Sequence, residues 1–324
     1  MREIDITKVE GFLFGQKESE DHHTGCTVIL SQDGATAGVD VRGGAPGTRE
    51  TDALKSENLV QHIHGLFLSG GSAFGLEVGS GVMRYLEEKG IGFDAGVTRV
   101  PIVPGAILFD LRENDRGMRP DAAMGYEAAS YAFQNSHLKQ GNYGAGAGAT
   151  IGKGKGPSFS MKGGLGHYAI QVGDVKVGAV VAVNCFGDVI EPETGRIIAG
   201  LQRNGKFLNS EDVMMSEIME GHTNRFRGNT TIGAVVTNAS VDKPAANKLA
   251  AMSHAGLSRT IRPSHTFVDG DTIFFMGSGK ISCDYNSLGV MAVKAVERAV
   301  QNAVTHAQST NSFLSANDIQ REEH

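Results

Sequence analysis

The sequence has few of the features that place a protein in a membrane or outside the cell. Its three cysteines, Cys26, Cys185 and Cys283, are widely spaced and form no CxxC pair, which is typical of a reducing compartment. The first residues, MREIDITKVE, are polar and acidic and do not resemble a signal peptide. The longest apolar run, VGAVVAVNCF (177–186), is about half as long as a membrane span must be. We therefore predict a cytoplasmic protein without a membrane partner.

Positive charge and metal-ligand patterns are also scarce. Thirty Lys and Arg residues against 36 Asp and Glu residues give a net charge of −6, which argues against a nucleic-acid partner because such proteins present a basic face. The eleven histidines show no HExxH or comparable spacing. The groups DHH (21–23) and HIH (62–64) fit surface or packing positions better than metal ligands. We predict neither a metal nor another cofactor.

Glycine is abundant, with 44 residues among 324, about twice the average usage. Because glycine lacks a Cβ atom, it allows tight turns and close backbone approach, so we expect many short strands and tight loops. A hydrophobic content of 40% and a charged content of 20% are typical of a globular protein with a sizeable core.

Apolar periodicity predicts a mixture of strands and helices. The predicted strands are 26–31, 35–44, 65–71, 176–190, 230–239 and 271–279, and the predicted helices are 72–90, 121–136, 247–261 and 287–307. These elements follow no regular βαβ repeat, which favours α+β layers over a doubly wound sheet. The polar segment 204–229 predicts an exposed linker.

Two glycine-rich motifs fail the test for familiar sites. GNYGAGAGATIGKGKG (141–156) lacks the spacing of a Walker loop, since Ala147 stands where the first glycine should be. It fits either a structural turn or a backbone cradle for an oxyanion, with Lys153 adding positive charge. GGSAFG (70–75) is not a nucleophile elbow, because Phe74 replaces the required glycine; it fits a tight turn from strand to helix.

A pair of carboxylates precedes one predicted strand, in VDGDTIFF (268–275). If this stretch is extended from its start, Asp269 and Asp271 share one face of the strand and can orient a cationic or hydroxyl-bearing group. The alternative is a simple Asp-Gly-Asp turn before the strand.

The stretch RFRGNTTIGAVVTNAS (225–240) admits two interpretations. A strand rich in β-branched residues begins abruptly at Thr230 and Thr231, directly after Gly228 and Asn229. Gly-Asn is a common turn pair, so this can be a loop that leads into a core strand. Alternatively, Thr230 is a latent N-terminal nucleophile that is freed when the chain cuts itself after Asn229.

The chain resembles the DmpA-type aminopeptidases, a family that includes L-aminopeptidase/D-amidase-esterases and nylon-oligomer hydrolases. The resemblance covers nearly the whole chain, in blocks that include GLFLSGGSAFGLEVGSGVMRYLEEKG (65–90), GNYGAGAGATIGKG (141–154), AVVAVNCFGDV (179–189) and NTTIGAVVTNA (229–239). It implies an α+β fold, a four-layer α-β-β-α sandwich, as one domain over 1–324. It also implies autocatalytic cleavage into fragments 1–229 and 230–324, and a homo-oligomer, a tetramer of two-chain protomers.

The resemblance also assigns roles to individual residues. It implies hydrolysis of small peptide, amide or ester substrates through an acyl-enzyme on the nucleophile. The implied site consists of a processing point at Asn229–Thr230, the nucleophile Thr230, the oxyanion donor Asn184, the acidic pair Asp269 and Asp271, and a lysine that is Lys153 or, as the alternative, Lys162. Phe109 stands where relatives carry an active-site tyrosine, so one hydroxyl donor is missing.

Two other functions remain open from the sequence. An acyltransferase of the ornithine acetyltransferase type shares the self-cleaving threonine and would pass the acyl group to an amine instead of water. A self-cleaving protein without turnover is the second alternative, and the phenylalanine at position 109 favours it.

Overall fold

The computed structural model describes residues 1–111, 117–219 and 228–319. Its helices are α1 (Val78–Glu88), α2 (Ala122–Asn135), α3 (Ser210–Met219), α4 (Lys243–Thr260) and α5 (Tyr285–Thr305). Its strands are β1 (Arg2–Ile4), β2 (Leu13–Glu18), β3 (Gly25–Val41), β4 (Thr48–Arg49), β5 (Ile63–Ser69), β6 (Phe93–Asp94), β7 (Arg99–Val100), β8 (Gly105–Ile107), β9 (Thr150–Ile151), β10 (Met161–Lys162), β11 (Gly164–Val172), β12 (Val175–Asn184), β13 (Asp188–Ile190), β14 (Ile197–Ala199), β15 (Gln202–Arg203), β16 (Lys206–Phe207), β17 (Thr230–Ala239), β18 (Ile261–Arg262) and β19 (Thr272–Ile281).

The principal sheet has the strand order β1-β11-β12-β17-β19-β3-β5-β8-β4, and β2 also pairs with β3. The long strand β3 serves two sets of neighbours: its first part, from Cys26 to Leu30, pairs with β2 and β5, and its last part, from Thr36 to Val41, pairs with β19. Strand β17 lies antiparallel to β12 and parallel to β19. The start of β17 is therefore flanked on both sides by backbone.

The buried side chains form three clusters, and alternate residues of one strand enter different clusters, as the period of two in a strand requires. In β17, Val235 packs in a cluster with residues of α4 and α5, whereas Ala234 and Val236 pack in a second cluster with residues of β5. The third cluster joins β3 and β5 to α1 and α2. The result is a mixed α/β fold with helices packed on its strands.

Helix starts follow their capping residues. The carboxylates of Asp121, Asp242 and Asp284 accept hydrogen bonds from backbone N–H groups in the first turns of α2, α4 and α5, which satisfies donors that a helix cannot satisfy itself. In α5, valines at helical spacing form a buried stripe, at Val293, Val296, Val300 and Val304. None of the helices in the described ranges is long and apolar enough to cross a membrane.

Most of the predicted elements are confirmed, with four differences. The strand predicted at 176–190 is two strands, β12 and β13, which belong to different sheets. The strands predicted at 26–31 and 35–44 are one continuous strand, β3, which carries an irregularity between Leu30 and Ala35. The helix predicted at 72–90 becomes α-helical only at Val78, and Phe74, which is 63% exposed, lies in the 3-10 turn before it. The predicted linker 204–229 contains β16 and α3, while 220–227 lie outside the described residues.

Candidate active site

The first residue of β17 lies at the centre of the site. Thr230 pairs with Asn184, the last residue of β12, and is only 3% exposed. Its hydroxyl Oγ1 donates a hydrogen bond to the carbonyl oxygen of Asn229. The turn at Gly270 leaves room for this hydroxyl, since a Cβ atom there would lie 2.7 Å from Thr230 Oγ1. A hydroxyl is therefore held beside the peptide bond that precedes it.

A lysine and an asparagine converge on the next carbonyl upstream. Lys153 Nζ donates to Gly228 O at 2.8 Å and to Asn184 Oδ1 at 2.7 Å. Asn184 Nδ2 donates to Phe109 O at 2.9 Å and lies 3.4 Å from Gly228 O. The amide of Thr150 donates to Asn184 Oδ1 at 3.0 Å, which fixes the side-chain orientation. The cation and the amide thus form one donor group beside the Gly228 carbonyl, two residues before Thr230.

The alternative lysine has a different environment. Lys162 Nζ donates to the carbonyl oxygens of Gly146, Ala149 and Gly163, and its side chain is fully buried. These contacts hold the glycine-rich loop against β11. Of the two lysines, Lys153 is the one whose ammonium group touches Asn184 and Gly228.

The two carboxylates are buried near the start of β17, but not for the predicted reason. Strand β19 begins at Thr272, so Asp269 and Asp271 belong to the turn before it and do not share a strand face. Asp271 Oδ1 accepts a hydrogen bond from the Thr231 N–H at 2.7 Å, and Oδ2 accepts one from the His265 N–H at 2.9 Å. Asp269 Oδ2 accepts bonds from Thr266 N and Oγ1 at 2.9 and 2.6 Å.

The pKa of Asp269 is raised, first by burial and second by the negative charge of Asp271. Both effects disfavour a second charge in a small buried volume. The raised pKa keeps Asp269 protonated up to a higher pH than an exposed carboxyl group. The pair therefore reaches two full negative charges only at a higher pH than two exposed carboxylates would.

Phe109 contributes its ring and its carbonyl group to the site. Gly228 has a φ of +63°, and a Cβ atom there would come within 2.1 Å of Phe109 Cδ1. Both the left-handed backbone and the ring therefore require glycine at position 228. The phenyl ring offers no hydroxyl group where a tyrosine would.

Cys185, next to Asn184, is a poor rival nucleophile. Its side chain is 2% exposed and Sγ lies 3.2 Å from the carbonyl oxygen of Gly187. Burial raises the pKa of this thiol well above its usual value, so the reactive thiolate is scarce. Within the described residues, no group of three or more His, Cys, Asp or Glu side chains could hold a metal ion.

Sequence reasoning missed three contributors: His265, which holds Asp271; Gly270, which makes room for the threonine hydroxyl; and Thr150, which orients Asn184. Only Gly270 carried a signal, since it separates the two predicted carboxylates. Thr150 meets Asn184 across 34 residues of sequence, and the contact of His265 with Asp271, six residues later, depends on the path of the loop between them. Together with the predicted residues they bring a threonine hydroxyl, a lysine–asparagine donor group and an acidic pair to one place, and these are side-chain types that acyl transfer can use.

Comparison with known proteins gives the class of this protein, a hydrolase of peptide or amide bonds. The model of peptidase family S58 matches residues 5–316. The chain therefore belongs to peptidase family S58, which confirms the resemblance inferred from the sequence.

Individual relatives come from several bacteria. An uncharacterized aminopeptidase of Mycobacterium bovis is 40% identical over 321 residues, covering 91% of this chain and 89% of the relative. A 6-aminohexanoate-oligomer endohydrolase of a Kocuria species is 32% identical, covering 90% and 84%. The L-aminopeptidase D-Ala-esterase/amidase from Ochrobactrum anthropi, described as a variant of the Ntn-hydrolase fold, aligns with a TM-score of 0.66 at 17% identity, covering 96% and 90%. Because the sequence identity to the Ochrobactrum protein is only 17%, this last similarity shows a shared fold.

Proposed function

We propose that this protein is a self-processing hydrolase in which Thr230 becomes an N-terminal nucleophile. The observation that carries the proposal is the contact between Thr230 Oγ1 and the carbonyl oxygen of Asn229, beside the donors Lys153 and Asn184. We also propose that the fold is a four-layer α-β-β-α sandwich that forms one domain over 1–324. The three clusters of buried residues described above support this proposal.

Processing begins with attack by Thr230 Oγ on the carbonyl carbon of Asn229. A C–O bond forms, the C–N bond between the two residues breaks, and the hydroxyl proton passes to the departing amine. Water then hydrolyses the ester, which leaves a carboxylate on Asn229 and restores the hydroxyl of Thr230. The products are fragments 1–229 and 230–324.

Turnover uses the amine that processing creates. An α-amino group has a pKa of about 8, so it can accept the proton of its own residue's hydroxyl near neutral pH. Thr230 Oγ then attacks the substrate carbonyl, the leaving amine takes the proton, and water releases the acyl group. Asp271, which already binds the Thr231 N–H, would orient the amine together with Asp269. Lys153 and Asn184 would stabilise the oxyanion.

The test is the covalent state of the purified protein. Mass spectrometry and N-terminal sequencing should find fragments of about 24 and 10 kDa, in proportion to their lengths within 34.2 kDa, with Thr230 first in the smaller one. Thr230→Ala should stay one inactive chain. The matched control is Thr231→Ala, which should still be cut, because successive side chains of a strand point to opposite faces. A different first residue, or no small fragment, would contradict the proposal.

We further propose that the substrates are small amides, peptides or esters with a free N-terminal amine. The acidic pair and the net charge of −6 favour cationic substrates, and the M. bovis relative is named an aminopeptidase. Aminoacyl p-nitroanilides should be hydrolysed, and their N-acetylated forms much more slowly. Equal rates would favour an endo-acting hydrolase, and the Kocuria relative is named a 6-aminohexanoate-oligomer endohydrolase. Cytoplasmic localisation and a tetramer of two-chain protomers also stand as proposals.

A further inference from the structure

A histidine lies behind the acidic pair, in the loop between β18 and β19. The imidazole Nδ1 of His265 is 2.9 Å from Asp271 Oδ2, and the backbone N–H of the same residue donates to that oxygen, also at 2.9 Å. The other oxygen, Oδ1, accepts the Thr231 N–H at 2.7 Å. Asp271 is therefore held from one side by His265 while it binds the start of β17 on the other.

The partners of the ring determine its tautomer. A carboxylate oxygen can only accept, so Nδ1 of His265 must carry the proton that it shares with Asp271. Nε2 is then free to accept, and it lies 3.2 Å from the hydroxyl oxygen of Ser258 in α4. This arrangement fixes both the ring orientation and the direction of the Nδ1–H bond.

A second imidazole ring, that of His254, packs behind His265. His265 stacks edge-on against His254, with ring centroids 4.8 Å apart. His254 is fully buried and its Nε2 lies 2.9 Å from Asp40 O. Burial lowers the pKa of His254, so that ring is neutral near pH 7. The charged groups nearest the two rings are Asp271 and, behind it, Asp269 on one side, and Asp40 with its partner Arg42 on the other.

The backbone of this histidine also has an unusual conformation. His265 has a φ of +59°, in the left-handed region that non-glycine residues seldom adopt. Glycine adopts it readily, and asparagine is among the few other residues that visit it. Substitutions can therefore separate the backbone conformation from the side-chain hydrogen bond.

We propose that His265 is a positioning residue of the Thr230 site, whose Nδ1–H bond aims Asp271 at the start of β17 and helps the acidic pair to keep its negative charge. This inference depends on the proposed function, because it assigns a role in orienting the amine of Thr230. Loss of the donor leaves Asp271 less well oriented, and a carboxylate that loses a donor to its charged form is protonated more easily.

The experiment compares His265→Gly with His265→Asn. Both variants permit the left-handed backbone and keep the backbone N–H bond to Asp271 Oδ2, but only asparagine can also place a side-chain N–H donor near that oxygen. In processed enzyme, we expect the Gly variant to lose about tenfold in kcat, the loss typical of one hydrogen bond to a charged group. Its acid limb in the pH profile of kcat should move to higher pH, while the Asn variant stays within about threefold of the wild type with an unmoved limb.

The chain offers a matched control at His22. This histidine also has a positive φ, +54°, and it is exposed on a turn outside the site, edge-on to Tyr143. His22→Gly and His22→Asn should leave kcat and the pH profile unchanged. They show what replacing a histidine in a left-handed turn does by itself.

The outcomes separate the two proposals. If the wild type and the His22 variants are not cleaved at the bond between Asn229 and Thr230, the proposed function fails. If they are cut and active, but the two His265 variants match the wild type or lose equal activity, the role of the Nδ1 donor is overturned. The tautomer provides a second measurement that does not depend on the Gly variant folding: histidine ¹⁵N–¹H spectra of the wild type, assigned with the Asn variant, should show a proton on Nδ1. A proton on Nε2 alone would overturn the inference.

Discussion

At the scale of single residues, the site brings a hydroxyl, an ammonium group and a side-chain amide close to two consecutive backbone carbonyl groups. A buried threonine hydroxyl touches the carbonyl group of the residue before it, while Lys153 and Asn184 bind the carbonyl group one residue further upstream. In the uncut chain the two donors are thus engaged by Gly228. Cleavage after Asn229, followed by movement of the new chain end, would release them for a substrate carbonyl.

Asn184→Ala tests the donor role directly. We expect turnover of the processed enzyme to fall about a hundredfold or more, because the variant loses one oxyanion donor and the acceptor that orients Lys153 Nζ. Steady-state kinetics on an aminoacyl p-nitroanilide is the measurement.

The matched control for this substitution is Asn238→Ala, near the far end of β17. Asn238 is also buried, and its Nδ2 donates to Glu10 Oε2 and Asp174 O, away from Thr230. Its loss should lower stability without changing the turnover of the folded enzyme. Wild-type kinetics in folded, processed Asn184→Ala would remove Asn184 from the site.

At the scale of elements, the site is built where three segments meet. The end of β12 supplies Asn184, the start of β17 supplies Thr230, and the turn before β19 supplies the two carboxylates. Parallel pairing of β17 with β19 brings that turn alongside the start of β17. The strand register therefore determines which side chains meet.

Gly270→Ala tests the turn before β19. A Cβ atom there would lie 2.7 Å from Thr230 Oγ1 and 2.8 Å from Ala45 O. The backbone carbonyl cannot easily move, so we expect the threonine hydroxyl to be displaced and processing to slow by about tenfold or more, since a small misplacement of a reacting group is costly. Appearance of the small fragment over time, followed by mass spectrometry, is the measurement.

A second glycine substitution serves as the comparison. In Gly65→Ala, on β5, the added Cβ atom would meet only side chains, with Leu30 Cδ2 nearest at 3.2 Å, so processing should keep its rate. Equal rates in the wild type and Gly270→Ala would show that the turn does not position the nucleophile.

Asp188 on β13 predicts a pH dependence of stability. Its carboxylate accepts bonds from the Leu201 and Ser210 N–H groups and ties β13 to the start of α3. Burial raises the pKa of Asp188 to about 6. Because the folded state then binds the proton more tightly than the unfolded state, the contribution of Asp188 to stability is full below about pH 4 and decreases as the pH rises to about 6.

The measurement compares Asp188→Asn with its parent, both in the Thr230→Ala background so that each is one chain. The free energy of unfolding of the parent, minus that of the Asn variant, should decrease by roughly 2–3 kcal/mol between pH 4 and pH 7, in line with about 1.4 kcal/mol per pKa unit. A difference that is constant with pH, or that increases, would contradict the raised pKa.

At the scale of the whole molecule, the proposed cut separates two fragments that share one sheet. Residues 230–319 contain β17 and β19, which lie between β12 and β3, and the helices α4 and α5, which pack over them. Neither fragment can complete this sheet or bury the surrounding apolar side chains without the other.

We therefore expect the two fragments to remain together after processing. Size-exclusion chromatography should give one peak that contains both, at about four times 34.2 kDa if the tetramer proposal is correct, and denaturing electrophoresis should resolve two bands. Thr230→Ala should elute at the same volume and give one band. Separation of the fragments under native conditions would show that the shared sheet does not hold them.

Local sequence patterns determined the type and position of several secondary-structure elements. The strand that begins at Thr230, the buried valine stripe of α5 and the turn from strand to helix after Gly70 follow from periodicity and glycine spacing, which depend on near neighbours. The prediction of a linker was wrong where α3 forms, because the polar composition of this segment gave no helical pattern. The start of this short helix is bound by Asp188, through the N–H and hydroxyl groups of Ser210.

Only the tertiary structure decided which groups meet. Lys153 and Lys162 lie in similar glycine-rich surroundings, yet Lys153 reaches Asn184 and Gly228, whereas Lys162, in β10, donates to two carbonyl groups of the glycine-rich loop and to that of the next residue. His265 acquires a role because the loop before β19 folds back on Asp271. These contacts join residues that are far apart in the chain or depend on the path of a loop. Strand register and loop conformation set them, and no local pattern encodes either.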